Sequence, residues 1–570
     1  MTRDGGPADR WAVAVADDGS ARYCPLTREG AAAAEPRTAP DVAGALRAAP
    51  PATRWVWRST AEVAPPATGV HVARCHDVEA AEAVLLGHEG AFGEPRGLPA
   101  AFARLRGLPV PADRPAAAPG EGQPSLFEGA GLFGGAGRPG LPPGTDPLGA
   151  LLEVYGGQLR RTAATRHPGR LTLLLAAESA GMLVAAEMDA AGLPWRADVH
   201  LALLDELLGP APPGGLEPRR LTELAAEVSA AFGFRVRPDL PAQVLAAFRK
   251  AGFPVRSTRS WELRQLDHPA VAPLLEYKRL YRVHTAHGRA WLRSWVHEGR
   301  FRARYVPGGA ASGRWTTNGG GALQIPRVVR RAVRADPGWR LVVADAAQLE
   351  PRVLAAVSGD PALAEVAGQD GDLYAALSRR LFAGDRERAK LAVLGAVYGQ
   401  TSGEGLRHLA ELRARYPLAV RYVDDAAEAG ERGRLVRTHL GRTCPPADAG
   451  AGDAGSADAF PESGEAPAGR GAAARARGRF TRNFVVQGSA AEWALLMLAA
   501  LRRSLAGTPA ELVFFQHDEV IVHCPAEQAD AVSEAVRAAG EAAGRLAFGP
   551  SPVRFPFTVA VVESYADAKG

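Results

Sequence analysis

The sequence predicts an α+β protein built of several domains. Three observations carry that prediction. The chain has 570 residues, too many for one core at the usual ~100–200 residues per domain. Helix-type periodicity is concentrated between Leu151 and about Trp295, with short β-type runs on either side of it. Two segments lack the apolar residues that folding requires. Sixteen of the 33 residues from Pro115 to Pro147 are Gly or Pro, a linker composition. From Pro445 to Arg477 the chain is rich in Ala, Gly, Asp and Pro, with Phe460 the only large apolar residue. This stretch is expected to be a disordered insert, because it buries too little to offset its ordering entropy.

Taken in order, the elements follow from local pattern. Trp11 to Ala16 and Ala21 to Leu26 flank the turn residues Asp17-Asp18-Gly19-Ser20, which predicts a β-hairpin. Val70 to Ala73 is expected as a further strand and Glu79 to Leu86 as a helix. Leu171 to Leu193 is long and apolar but contains Glu178, Glu187 and Asp189, so an amphipathic helix is expected there and not a membrane span. Arg340 to Ala344 reads as a buried strand ending at Asp345. Arg386 to Tyr398 reads as a helix, and Leu512–Phe515 with Val520–His523 as a second hairpin.

Composition narrows the class. Lys+Arg is 67 against Asp+Glu 62, a net charge of +5, which suits a basic groove better than a uniformly cationic surface. Only four of the basic residues are lysines: Lys250, Lys278, Lys390 and Lys569. None follows a glycine, so no G-K-[ST] phosphate loop is present. Cys24, Cys75, Cys444 and Cys524 form no C-x-x-C pair, which argues against a zinc ribbon and a disulfide framework. Met1 to Arg10 lacks an apolar h-region, so a secretory signal is not expected. The expected class is a soluble, multidomain protein of a reducing compartment.

Three motifs carry chemistry. In Asp345-Ala-Ala-Gln348-Leu-Glu350-Pro-Arg352 a carboxylate follows a buried strand, either aimed into a cleft or capping the next helix. Arg386, Lys390, Leu394 and Tyr398 recur every fourth residue, so they share one helix face. Two cations followed by an apolar and an aromatic side chain suit a nucleotide; the alternative is a solvated stripe beside a core stripe. His517-Asp518-Glu519 puts charge at the tip of an apolar hairpin, in a turn poor in the Gly, Asn or Pro that tight turns favour.

Together and in this order, these segments resemble motifs A, B and C of family A DNA polymerases, the DNA polymerase I family. Further stretches agree with it. Ser312-Gly313-Arg314-Trp-Thr-Thr-Asn318 through Leu323-Gln324-Ile-Pro326 is similar to the family's G-R-x-S-S…L-Q-N-I-P segment. Arg479, Asn483 and Gln487-Gly488-Ser-Ala-Ala491 are similar to its R…N…Q-G-T-A-A helix, and Leu171 to Asp198 to the opening helix of the thumb. The resemblance covers about 400 residues, from roughly 165 onward.

The resemblance implies a right-hand polymerase: a palm with an antiparallel sheet, a helical thumb and helical fingers, preceded by a truncated ribonuclease-H-like 3′–5′ exonuclease-type domain and without a 5′ nuclease domain. The implied boundaries are 1–112 for the exonuclease-like domain, 113–148 for the linker and 149–300 for the thumb. Palm (motif A) follows over 301–365, fingers over 366–480 with the insert 445–477, and palm (motif C) over 481–570. It implies a template-directed DNA polymerase acting in repair, gap filling or replication. Asp345 and Asp518 would hold two Mg²⁺ ions, or Mn²⁺ in their place, with Glu519 an accessory carboxylate. Arg386 and Lys390 would neutralise the triphosphate, Lys390 serving also as proton donor to pyrophosphate. Leu394, Tyr398, Gln348 and Tyr374 would complete the dNTP site, and Glu350 would crowd a ribose 2′-hydroxyl. Arg314, Arg479, Asn483, Gln487 and His517 would face DNA. The minor groove there offers acceptors in nearly the same place on every base pair.

The sequence departs from the family pattern at several points. Leu394 stands where the family has Phe or Tyr; losing a stacking ring is worth ~0.5–1.5 kcal/mol. Ala346 and Ala347 replace Tyr-Ser, and no Asn follows Gln324. The hairpin Trp11 to Leu26 resembles the second and third strands of the exonuclease domain, with the first strand and its D-x-E expected to be missing. Cys75-His-Asp77-Val-Glu79 resembles the segment of the central Asp, although a helix N-terminus, which favours acidic residues, is the preferred explanation of the pair. No Y-x-x-x-D follows near Tyr155, so exonuclease activity is expected to be absent. In the linker, Gln123-Pro-Ser-Leu126-Phe127 resembles the Q-x-x-L-F peptide that docks bacterial polymerases on the sliding clamp. The expected partners are primer-template DNA, dNTPs and that clamp. The expected setting is a cytoplasmic, nucleoid-associated monomer with no membrane contact. The rival readings are a single-subunit RNA polymerase, against which Glu350 argues, and a non-catalytic clamp-bound scaffold, against which Asp345, Lys390 and Asp518 argue together.

Overall fold

A computed structural model describes residues 9–16, 18–50, 53–113, 140–210, 216–319, 321, 325–399, 404–446 and 470–568. The chain divides into two units. The first comprises residues 1–190, 305–318 and 342–560; the second comprises 191–304, 319–341 and 561–570.

The first unit opens with a five-stranded sheet. Its strands are β1 (Arg10–Val15), β2 (Ala21–Pro25), β3 (Arg37–Ala39), β4 (Arg54–Trp57) and β5 (Arg74–Asp77), in the order β3-β2-β1-β4-β5. The β1–β2 hairpin forms as expected, with Trp11 opposite Pro25 and Val15 opposite Ala21. Alternation sends Trp11 and Val13 into one core cluster and Ala12 into another. Both faces of β1 are therefore covered, which explains why its sequence is a continuous apolar run.

Two expectations for this region need correction. The hairpin expected to supply the second and third strands contains the central strand of the sheet: β1 is antiparallel to β2 and parallel to β4. β1 carries no carboxylate. The fifth strand begins at Arg74, four residues beyond the expected start at Val70. Its parallel pairing with β4, Arg54 against Arg74 to Trp57 against Asp77, fixes that register.

A second sheet in the order β7-β8-β6-β9 consists of β6 (Trp339–Ala346), β7 (Glu511–Gln516), β8 (Glu519–Pro525) and β9 (Phe557–Val562). Leu341 to Ala344 are fully buried, as their unbroken apolar run predicts. Helices Leu349–Ser358, Leu373–Leu381, Arg386–Tyr398 and Pro417–Glu431 follow β6 in sequence, and the 36-residue helix Arg470–Leu505 precedes β7. That long helix corrects the disorder expected for 445–477. Residues 447–469 lie outside the described part, but Arg470 to Arg477 are helical. Alanine and arginine have high helix propensity, and the segment extends a helix whose continuation is buried.

Among the described residues, Pro168–Ala191 and Gly471–Leu505 are long and apolar enough to cross a membrane. In the fold they are core helices, with 61% and 94% of their apolar windows buried.

A single buried carboxylate organises two helix starts in this unit. Asp360 accepts from the amides of Ala362 (3.1 Å) and Leu363 (3.0 Å) with one oxygen, and from Leu418 (3.0 Å) and Ala419 (3.3 Å) with the other. One cap is worth about 1 kcal/mol, so Asp360→Ala should cost about 2 kcal/mol of local stability. Amide hydrogen exchange at these four residues measures it; unchanged protection at Leu418 and Ala419 would show that the second cap contributes nothing.

The second unit is mainly helical. Arg219–Phe232, Pro241–Lys250 and Val271–His287 pack around Val228, Val244, Phe248 and Leu274. Trp195, Trp291, His200 and Phe301 form an aromatic cluster within the same unit.

Candidate active site

Strand β6 leaves the core at Asp345, and the β7–β8 hairpin turns at His517 and Asp518. The amide of Ala346 donates to the carbonyl of Asp518 at 3.0 Å, which fastens the strand end to the turn. Two acidic residues distant in sequence are thereby brought together. The Asp518 carboxyl is pushed up to about 7, first by burial and then by the charge of Asp345, against the opposing pull of Arg314. His517 has φ +57° at the first turn position, where glycine is usual. Local strain is thus held at the tip that carries Asp518. Asp345 does not cap the next helix: the N-cap position of Leu349–Ser358 is Gln348, itself in a left-handed conformation (φ +49°).

Glu350, on the first turn of that helix, is held from two directions. Arg314 donates to one oxygen at 2.6 Å and the Tyr398 hydroxyl to the other at 3.0 Å. Burial, followed by the Glu350 charge, pushes the Tyr398 phenol up to about 12, and Gln487 also hydrogen-bonds to it. Gln348 accepts from the amide of Leu373 at 3.3 Å. Arg314, Gln348, Glu350, Tyr374, His517 and Asp518 line one cleft of about 170 Å³, whose apolar walls are Leu349, Pro351, Ala490 and Ala491. Tyr374 is buried there, and desolvation raises its phenol above the ordinary range.

The Arg386–Tyr398 helix reaches this cleft through Tyr398. Arg386 is exposed at the opposite end, paired with Asp372 (2.7 Å) and Glu387 (3.0 Å), its guanidinium 5.8 Å from the Tyr374 ring centre. Lys390 and Leu394 are half-buried on the same face and are not among the cleft-lining residues. The helix ends at Gly399 (φ +73°), where a Cβ would lie 3.2 Å from Arg479 Cγ. Arg479 is exposed, while Asn483 and Gln487 are buried one and two turns further along the Arg470–Leu505 helix. Glu519 is buried at the start of β8, outside the cleft lining. Gln123, Leu126, Phe127 and Gln324 lie outside the described residues.

Two arginines that support the site were not singled out from sequence. The fully buried Arg352 donates to the carbonyls of Ala347 (3.1 Å), Ala367 (2.8 Å), Arg554 (3.0 Å) and Gly371 (2.9 Å). Burial lowers its pKa from the ordinary value. Its place in the motif, two residues after Glu350, gave no sign of these carbonyl partners. The second, Arg442, stands in none of the motifs.

The acidic pair of the N-terminal sheet is committed elsewhere. Asp77 caps helix Val78–His88 through the amide of Ala80 (2.9 Å) and accepts from the Thr60 amide (2.7 Å) and hydroxyl (2.9 Å). Glu79 pairs with Arg58 at 2.8 Å and accepts from the Leu98 amide. The helix-start explanation therefore accounts for both residues.

Comparison with known proteins identifies the family. The chain is 32% identical over 336 residues to DNA polymerase I of Chloroflexus aurantiacus, covering 54% of this chain and 33% of that protein. It is 27% identical over 335 residues to the thermostable DNA polymerase I of Thermus aquaticus, covering 54% and 37%. The match thus spans about a third of the length of these relatives. The fold is similar to that of the POL domain of Pol1 from M. smegmatis, solved in complex with DNA primer-template and dNTP. That match has a TM-score of 0.69 at 18% identity and covers 98% of this chain and 96% of the other. Residues 239–563, more than half of the chain, match the model of DNA polymerase family A, and the chain belongs to that family.

Proposed function

We propose that this chain is a template-directed DNA polymerase that adds dNTPs to a primer 3′ end. One observation carries the reading: the end of β6 is fastened to the β7–β8 turn, so that the charge of Asp345 is part of what raises the pKa of Asp518. Such a pair suits a divalent cation, which relieves the repulsion that burial aggravates. Among the described residues no group of three or more His, Cys, Asp or Glu gathers as a metal site. Two carboxylates suit Mg²⁺, which takes one or two of them and completes its shell with water and substrate phosphates. Asp345 and Asp518 would hold two such ions, or Mn²⁺, whose chemistry is to polarise the phosphoryl group and offset its charge.

The remaining roles belong to the chain itself. Arg386 and Lys390 bind the triphosphate; Gln348, Tyr374, Leu394 and Tyr398 contact the incoming nucleotide. Glu350, held by Arg314 and Tyr398, excludes a ribose 2′-hydroxyl and so favours DNA over RNA synthesis. Arg314, Arg479, Asn483 and Gln487 face the minor groove, and His517 contacts the DNA. Residues 1–112 form an exonuclease-like domain without activity, supported by the committed state of Asp77. The enzyme works as a monomer in the cytoplasm in repair, gap filling or replication, tethered to a sliding clamp by Gln123, Leu126 and Phe127.

Primer extension with dNTPs and with rNTPs tests the proposal, using a 3′-mismatched labelled primer in parallel. Extension with dNTPs, little with rNTPs and no metal-dependent trimming of the mismatch is expected. No extension would remove the polymerase reading, equal use of rNTPs the role of Glu350, and trimming the inactive-domain reading.

A further inference from the structure

Arg442 lies outside the cleft lining, in the loop between helices Pro417–Glu431 and Arg470–Leu505. It forms an ion pair with Glu178 of helix Pro168–Ala191, and the two side chains are only 13% and 6% exposed. Its guanidinium rests against Gly313. That residue has φ +84°, and a Cβ there would come within 2.6 Å of Arg442 Cζ. The next residue is Arg314, which donates to Glu350 at 2.6 Å. Glu178 closes the other side of the same loop: a Cβ at Gly308 would lie 3.5 Å from its Oε2. The Arg442–Glu178 pair therefore underlies the segment that delivers Arg314 to the cleft.

Both halves of the pair are anchored. On the Arg442 side the loop closes on itself: the Thr438 amide donates to the Arg442 carbonyl and the Arg442 amide to Thr438 Oγ1, each at 2.9 Å. Helix Arg470–Leu505 secures it. Glu492 accepts from the Thr438 hydroxyl and the Leu440 amide, and Ser489 Oγ accepts from the His439 amide at 3.0 Å. The N-terminal sheet and its helix secure it from outside. His88 Nδ1 bonds to the Gly441 carbonyl at 3.1 Å, and Arg437 donates to the His88 carbonyl at 2.8 Å. On the Glu178 side, the neighbouring Ser179 accepts from the Asp77 amide through Oγ (3.0 Å) and from Cys75 Sγ through its carbonyl (3.2 Å).

We propose that Arg442 is a positioning residue for nucleotide addition: with Glu178 it forms a buried seat for Gly313–Arg314. The N-terminal domain holds both halves of that seat, through His88 and through Ser179. This inference rests on the polymerase reading above. It gives the exonuclease-like domain a task, which is to fix the arginine that orients Glu350. Arginine suits the seat because its planar fork can meet Glu178 while its flat face lies against a glycine; a lysine ammonium cannot do both.

A double-mutant cycle tests it on the full chain. Arg442→Lys keeps a positive charge beside Glu178, so the fold is retained. It should lower kcat/KM for dNTP by about tenfold in the wild-type background and by less than about twofold when Arg314→Ala is already present. His88→Ala, at a half-buried residue outside the pair, should give a smaller loss with the same dependence on Arg314. Losses that multiply in the Arg314→Ala background would overturn the proposal. Amide hydrogen exchange provides a readout independent of catalysis. The Gly313 amide, bonded to the Ala310 carbonyl at 2.8 Å, should exchange faster in both variants while amides of β6 stay unchanged. Unchanged exchange at Gly313 would overturn the seat even if activity fell. Failure of the wild type to extend a primer would remove the polymerase reading and leave the exchange result to decide the seat.

Discussion

Asp518→Asn is expected to reduce primer extension by at least about a thousandfold while stabilising the metal-free protein above pH 7. The activity loss follows from the proposed role of the carboxylate as a metal donor, worth several kcal/mol of transition-state stabilisation, with each 1.36 kcal/mol a factor of about ten. The stability gain follows from linkage. The folded-state pKa of Asp518 is about 7, above the ordinary 3.8. Between those values the folded chain holds a proton that the unfolded chain has released, so stability falls as pH rises through that window. Asparagine cannot ionise and escapes the loss. Thermal scans in chelator should show wild type and variant melting together near pH 4 and the variant melting higher at pH 8. Adding Mg²⁺ should raise the wild type and leave the variant unmoved. A melting difference independent of pH, or a variant that extends primers normally, would contradict this account.

Arg352→Leu should cost about 4 kcal/mol, because four backbone carbonyls each lose a charged donor and about 1 kcal/mol or more. Those carbonyls belong to Ala347, Ala367, Gly371 and Arg554. They link the loop after Asp345 to the segment before the Leu373–Leu381 helix and to the approach to β9. Asp372, next to Gly371, pairs with Arg386, and Gln348 accepts from Leu373. Loss of Arg352 should therefore loosen the cleft floor as well as the fold. Arg352→Lys should recover less than half of the stability, since one ammonium cannot reach carbonyls arranged around a planar fork. Thermal denaturation and the dNTP KM report the two effects. A lysine variant as stable as wild type would show that charge, not fork geometry, is what the site requires.

Much of this was legible in the sequence because it is local. The β1–β2 and β7–β8 hairpins announce themselves by apolar runs around a short polar turn, and helix Arg386–Tyr398 by four-residue spacing. The acidic positions Asp345 and Asp518 were visible as charges at the ends of buried strands. Their convergence was not, because it depends on β6 lying beside β8, a pairing between segments more than 160 residues apart. Arg352 and Arg442 were hidden for a related reason. In a chain with 67 basic residues, an arginine whose partners are carbonyls or a glycine from other elements carries no local mark. The helical start at Arg470 was missed because composition alone was weighed, whereas a neighbouring buried helix lowers the cost of extending the same helix upstream. The place of β1 could not be read from a hairpin pattern, since the parallel partner β4 lies some 40 residues further on.

The packing of β1 bears on the history open to this sheet. Trp11, Ala12 and Val13 are each buried, on two faces occupied by different clusters. A carboxylate at any of the three would be stripped of water without a partner, at a cost of several kcal/mol. Asp77, on β5 of the same sheet, is already bound to Thr60 and Ala80. Evolution by single substitutions therefore meets a ratchet here: each step toward a metal centre on this sheet lowers stability before any cation can repay it.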